Sequence, residues 1–169
     1  MSKTKNIFHR ASNRLLGVLA RLVPGAEGFR PFLHRLRGVQ ISGRVFIGED
    51  VLLETEYPEC IEIHDNVAIS IRAVIIAHTR GPGKVVLEKN SFIGPNAVVV
   101  CPVGKTLTVG EGSVVSAGAV ITRSVPSKSM VAPPPSRTVA TLEVPLTTDV
   151  TMEQFLAGMK LLGPPRTRR

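Results

Sequence analysis

The chain has 169 residues, with 21 Lys and Arg against 13 Asp and Glu, a net charge of +8; that is one domain with extensions, long enough for a continuous core. The charge favours anionic partners, but a chain with no Trp, one Tyr and no interleaving of aromatic and basic residues is a poor fit to nucleic acid. Cys60 and Cys101 show no metal-ligand spacing and no disulfide framework, no apolar run reaches membrane-spanning length, and Leu15–Ala20 is short for a secretory signal, so a cytoplasmic protein is expected.

The positive charge is concentrated early. Lys3, Lys5, Arg10, Arg14, Arg21, Arg30, Arg35, Arg37 and Arg44 stand against a lone Glu27. Ile7, Ala11, Leu15, Val18, Leu19 and Leu22 recur at helical spacing, with Arg10, Arg14 and Arg21 on other faces. Pro24-Gly25 ends that helix, and Phe29, Phe32, Leu33 and Leu36 predict a second, with Pro31 tolerated in its first turn. Residues 1–38 therefore read as a helical cap over the open first turn of a repeat domain. A basic helix pair lying on an anionic membrane, with peripheral attachment to the inner face of the plasma membrane, is the alternative. His9 and His34 fall in this cap and read as structural or incidental.

From Ile41 a six-residue beat takes over. Its aliphatic openers come in triplets: Ile41, Ile47, Leu53; Ile63, Ile69, Ile75; Leu87, Ile93, Val99; Val109, Val115, Ile121. A small or β-branched residue usually sits four places after the opener (Val67, Ala73, Thr79, Ser91, Ala97, Ser113, Ala119). Short-period self-similarity signals a solenoid, here a triangular coil with a short strand on each side and the openers pointing inward. Between triplets the step exceeds six every time, so all three insertions emerge at one corner, and insertions stacked on one edge usually build a binding face. The domain spans residues 39–126, and the beat is expected to stop at Val125-Pro126. Residues 127–169 come next as an irregular stretch with Pro133-Pro134-Pro135, a short helix announced by the capping box Thr151-x-x-Gln154, and an Arg-rich tail.

His78 lies in the largest corner insertion, three residues after Ile75; Glu56 lies three after Leu53, one coil below. The stacking predicts a carboxylate near an imidazole, which fixes the tautomer and leaves the other ring nitrogen as a base. Glu54 and Glu59 compete with Glu56 for that role. His64, at the second place of its hexad, reads as an exposed turn residue, and Cys101 as a packed one.

The stretches Ile93–Val98 and Val109–Pro126, together with the beat and the loop histidine, closely resemble hexapeptide-repeat acyltransferases over residues 39–139. The nearest group is the sugar and polysaccharide O-acetyltransferases, similar to maltose and galactoside acetyltransferases and to lipopolysaccharide or capsule modifiers. The resemblance implies a mainly β fold, a left-handed parallel β-helix that departs from the right-handed crossover rule. It implies a homotrimer with acetyl-CoA along the groove between adjacent prisms. Position by position, His78 matches the catalytic histidine. Pro95 and Ala117 match places where backbone contacts the pantetheine arm, and Thr122 and Arg123 match a Thr-Lys pair beside the cofactor. Arg137 matches a basic residue near the nucleotide end, a role suited to bidentate pairing with phosphate. Two departures stand out: Pro133-Pro134-Pro135 replaces the family's Gly-Asn-Pro, removing backbone donors, and Lys105–Thr108 belongs to an added corner loop.

The resemblance and the residues together imply direct transfer. His78, oriented by a carboxylate, deprotonates a saccharide hydroxyl that attacks the acetyl thioester, and backbone N–H groups stabilise the oxyanion. The acceptor is expected among cell-surface polysaccharides or lipid-linked sugar precursors. Rivals are a non-catalytic β-helix assembly module and an amino-sugar N-acetyltransferase. A γ-type carbonic anhydrase shares the prism but needs three histidines around zinc, and His64 and His78 do not recur at matching places.

Overall fold

The computed structural model describes residues 7–78 and 81–163, with side chains from Arg10 onward. Lys3, Lys5, Thr79, Arg80, the His9 side chain and the Arg-rich tail lie outside the described residues. The chain divides into two compact units, 1–133 and 134–169.

The first unit opens with α1 (Ile7–Leu22) and α2 (Phe29–Leu36). Four coils come after them: β1 (Gln40–Ile41), β2 (Phe46–Ile47) and β3 (Leu52–Leu53); β4 (Ile61–Ile63), β5 (Ala68–Ile69) and β6 (Val74–Ile76); β7 (Lys84–Leu87), β8 (Phe92–Ile93) and β9 (Val98–Val100); β10 (Thr106–Val109), β11 (Val114–Val115) and β12 (Val120–Ile121). They stack as three parallel sheets, the sides of a left-handed β-helix prism. The openers stand in register: Ile41 pairs with Ile63 and Ile63 with Leu87, Ile47 with Ile69, and Leu53 with Ile75. From Ile47 onward the openers are buried and form the core, with Ile41 packed at its edge. The fourth-place residues Val67, Ala73, Ser91, Ala97, Ser113 and Ala119 are buried too, because a triangular corner has no room for a longer side chain.

The corners have a backbone signature. Asp50, Asn66, Arg72, Asn90, Asn96, Gly112, Gly118 and Lys128 all have positive φ, each three residues after an inward-pointing residue. Gly, Asn and Asp tolerate the left-handed region best, which accounts for six of the eight.

The beat also runs further than its expected end at Pro126. Val125 bridges to Val109, and β13 (Met130–Val131) pairs with β11, adding two sides of a fifth coil. Val125 and Val131 are again six apart; the insertion at the preceding corner has become a deletion, which hid the continuation.

The cap does cover the first coil, in a way opposite to a usual amphipathic helix. Helices generally turn an apolar stripe inward; here Asn13, Gly17 and Ala20 of α1 and Arg30, Leu33 and His34 of α2 face the prism. The reason is the chemistry of an open β-helix end, which presents unpaired backbone groups that need polar partners. Three arginines meet it, one per side. Arg35 Nε donates to the Ile41 carbonyl at 3.2 Å, Arg30 Nη1 to Ile47 at 3.1 Å, and Arg37 Nη2 to Leu53 at 3.3 Å. The chain around the helix ends adds backbone bonds from Ile47 N–H to Ala26 and from Asp50 N–H to Arg21.

The second unit holds an antiparallel pair, β14 (Ala140–Leu142) and β15 (Met159–Leu161), and α3 (Met152–Ala157). The capping box forms as the sequence predicts: Thr151 Oγ1 accepts from Gln154 N–H, and Gln154 Oε1 accepts from Thr151 N–H at 3.0 Å.

Candidate active site

All three insertions leave the prism between the third sheet (β3, β6, β9, β12) and the first (β1, β4, β7, β10). The chain Glu54–Cys60 forms the lowest corner loop and the segment after Ala77 forms the next. The second is closed at its base by Gly83 N–H donating to the Ala77 carbonyl at 2.7 Å, and by a bridge between His78 and Pro82. Gly83 cannot carry a side chain: a Cβ there would stand 2.8 Å from the Pro102 carbonyl oxygen and 2.9 Å from Cys101 Sγ. Cys101 is buried in the corner above, its thiol 3.2 Å from the Lys105 carbonyl, which is the packed role its hexad position predicts.

This base presents His78 half-buried at the corner. Its ring meets that of Tyr57, with centroids 4.8 Å apart and planes inclined at 54°. The two successive corner loops therefore touch through an aromatic pair, a contact that restricts imidazole rotation. Sequence patterning alone passes over Tyr57, although a lone tyrosine inside the insertion next to Glu56 is a usable signal.

Both carboxylate oxygens of Glu56 accept from α1: Oε2 from Arg10 at 2.9 Å and Oε1 from Arg14 at 2.9 Å. Hydrogen bonds from Arg14 and then Arg10 hold its carboxyl below the usual range. Glu54 is buried beneath, its Oε1 accepting from the Glu56 N–H at 2.8 Å. Glu59 sits exposed in a short 3₁₀ turn, Pro58–Cys60, with its carbonyl bonded by Gln40.

Pro95 and Ala117 occupy the same turn place in successive coils between the second and third sheets. Gly118 N–H donates to the Pro95 carbonyl at 2.9 Å, and the stack is so close that a Cβ on Gly94 would lie 2.6 Å from Ala117 N. Pro95 is half-buried and Ala117 exposed; Thr122 and Arg123, just after β12, are exposed as well. Arg137 is exposed in the second unit.

His64, expected as an exposed turn residue, is half-buried and bonded. Its Nε2 lies 2.7 Å from Glu62 Oε1, and Lys84 Nζ is 2.6 Å from the other Glu62 oxygen. Bonds from Lys84 and then His64 hold the Glu62 carboxyl low. This triad lies across the outer face of the first sheet and ties adjacent coils together. Among the described residues, no group of three or more His, Cys, Asp or Glu is arranged to hold a metal ion.

A cleft of about 460 Å³ lies elsewhere, between α1 and the β3 corner, lined by Arg14, Gly17, Val18, Leu52 and Glu56 among others. His78 does not line it.

A parallel β-helix of hexads with one corner of stacked insertions carrying a half-buried histidine defines the hexapeptide-repeat class. YvoF of Bacillus subtilis (strain 168), assigned as an acetyltransferase, is 30% identical over 120 residues, covering 68% of this chain and 65% of that protein. The bifunctional protein GlmU of Bartonella bacilliformis is 46% identical over 48 residues, covering 28% of this chain and 10% of GlmU. The crystal structure of a maltose O-acetyltransferase from Clostridium difficile 630 superposes with a TM-score of 0.54 at 16% identity, covering 73% of this chain and 81% of that one. No protein-family model matches the chain. In its repeat and its fold the chain is similar to the hexapeptide-repeat acetyltransferases. It spans just under two thirds of the length of the YvoF relative.

Proposed function

We propose that the protein is a CoA-dependent O-acetyltransferase, with His78 as general base, acting on a hydroxyl of a saccharide of the polysaccharide or lipid-linked precursor class. The observation that carries the reading is the placement of His78: on a rigid loop base, at the one corner where the insertions stack, with its ring held by Tyr57. The likeness to hexapeptide-repeat acetyltransferases supports the reaction type.

Bound acetyl-CoA would supply the activated acyl group as a thioester. Pro95 and Ala117 would hold its pantetheine arm, with Thr122 and Arg123 beside it and Arg137 at the phosphates. A neutral imidazole at position 78 accepts the hydroxyl proton as the acceptor oxygen bonds to the acyl carbon, and returns it to the departing sulfur. Glu56 would keep the ring oriented, its own position fixed by Arg10 and Arg14. Three copies would complete the site, each cofactor lying in a groove between neighbouring prisms.

Calorimetry with CoA, followed by acetyl-transfer assays against nucleotide sugars, lipid-linked sugars and polysaccharides, tests this directly. Heat on CoA addition and a His78-dependent ester product are expected. No binding and no transfer would leave a non-catalytic prism, and an amide product would move the acceptor to an amino sugar.

A further inference from the structure

The cap uses its polar side on the prism and leaves its apolar side uncovered. On α1, Leu15, Val18, Leu19 and Leu22 follow the i, i+3, i+4, i+7 pattern of a single stripe and are 62%, 50%, 40% and 75% exposed. On α2, Phe29, Phe32 and Leu36 are about half exposed, and the two phenyl rings stack with centroids 6.2 Å apart. The helices pack on one another and on β1, β2 and β3 at the end of the ladder, so both stripes lie on the side away from the coils. Solitary exposed apolar residues need no explanation, but two adjoining stripes on one end mark an interaction surface.

We propose that this face docks the protein on an anionic lipid bilayer, with both helices lying flat in the headgroup region. Charge identifies the occupant. Neither α1 nor α2 contains an acidic residue. Arg10, Arg14 and Arg21 run down one border of the α1 stripe, where a helix in a membrane interface places its cations. They are partly neutralised by Glu56 and Asp50, yet the Arg10 and Arg14 side chains remain 55% and 68% exposed, and a guanidinium has five donors, enough to reach phosphate as well. Neither helix is long and apolar enough to cross a bilayer, so the attachment is peripheral. The prism takes the place that water occupies on the polar side of an isolated amphipathic helix. Docking of this kind is independent of acetyl transfer.

Flotation of the full chain with phosphatidylcholine vesicles, with and without phosphatidylglycerol, tests it. The protein is expected to float with the phosphatidylglycerol vesicles and to be released as salt rises. The double variant Leu15→Glu/Leu22→Glu, with unchanged thermal melting, should lose at least about tenfold in partitioning. Phe29→Ser/Phe32→Ser repeats the test on the second helix in case the first variant misfolds. Failure of the parent to float, or equal flotation of folded variants, overturns the proposal. So does a fall in oligomeric mass in the variants without any vesicle binding by the parent, which would assign the face to a second copy.

Discussion

Arg37 Nη1 stands 3.0 Å from Nδ1 of His34, and both side chains are buried. A guanidinium can only donate, so Nδ1 accepts and the proton of the neutral ring sits on Nε2, which has no partner and is buried. Burial first, and Arg37 second, push the His34 pKa from 6.5 down to about 3. The unfolded chain therefore binds a proton that the folded cap refuses. Stability is full above pH 6.5 and falls as pH drops through that value toward 3, by about 1.4 kcal/mol per pH unit. Glu56 and Glu62, with lowered carboxyl pKa values, lose their contribution only below about 4.5. Melting temperature between pH 7 and about 5 should slope downward in the parent and flatten in His34→Gln.

Arg37 should be among the most costly cap residues to truncate. It also donates to Asn13 Oδ1 at 2.8 Å and to the Glu54 carbonyl at 2.7 Å, so its loss strands several buried acceptors. Arg37→Ala is expected to cost about 3–5 kcal/mol in urea unfolding. Arg35→Ala, at an exposed position, should cost less than about 1 kcal/mol.

Gly94→Ala presses a methyl into the backbone of the coil above, at Ala117 N and the Val115 carbonyl. The φ at Gly94 is ordinary, so the effect isolates stacking distance from backbone preference. A loss of about 1–3 kcal/mol in denaturant unfolding is expected, with weaker CoA binding if Pro95 and Ala117 line the pantetheine channel.

Replacing His78 by Ala should lower the turnover of acetyl transfer by about 10²–10⁴-fold while leaving the CoA dissociation constant unchanged. Glu56→Gln should act through the ring: a shift in the pH profile of turnover with little change in KM. Parent-like rates in His78→Ala would end the proposal that this imidazole is the base.

Arg137→Ala should weaken CoA by roughly tenfold or more, the value of a charge-assisted contact to phosphate, and should affect dephospho analogues less. Calorimetry reads both.

The prism was legible because its openers are evenly spaced and each aliphatic has one place to go. Ile63, Leu87 and Val109 stack as their spacing demands. Corner insertion, capping box and cap helices were visible for equally local reasons. What stayed hidden depended on partners distant in sequence. The outward turn of Leu15 and Phe32 is dictated by the carbonyls of Ile41, Ile47 and Leu53, which a helical wheel cannot see. The continuation through Val131 was masked by a shortened corner, and the Tyr57–His78 contact by a loop between them. The salt bridges of Glu56 to Arg10 and Arg14 come from a helix more than forty residues upstream.

The arginine seal at the first coil has a mechanical consequence. A ladder held rung to rung can only peel from its ends, and here three guanidinium bolts fasten one end while β13 ends the ladder at the other. Under force or heat, loosening should begin at the β13 side and travel inward, so the final rungs to let go would be those nearest the helices.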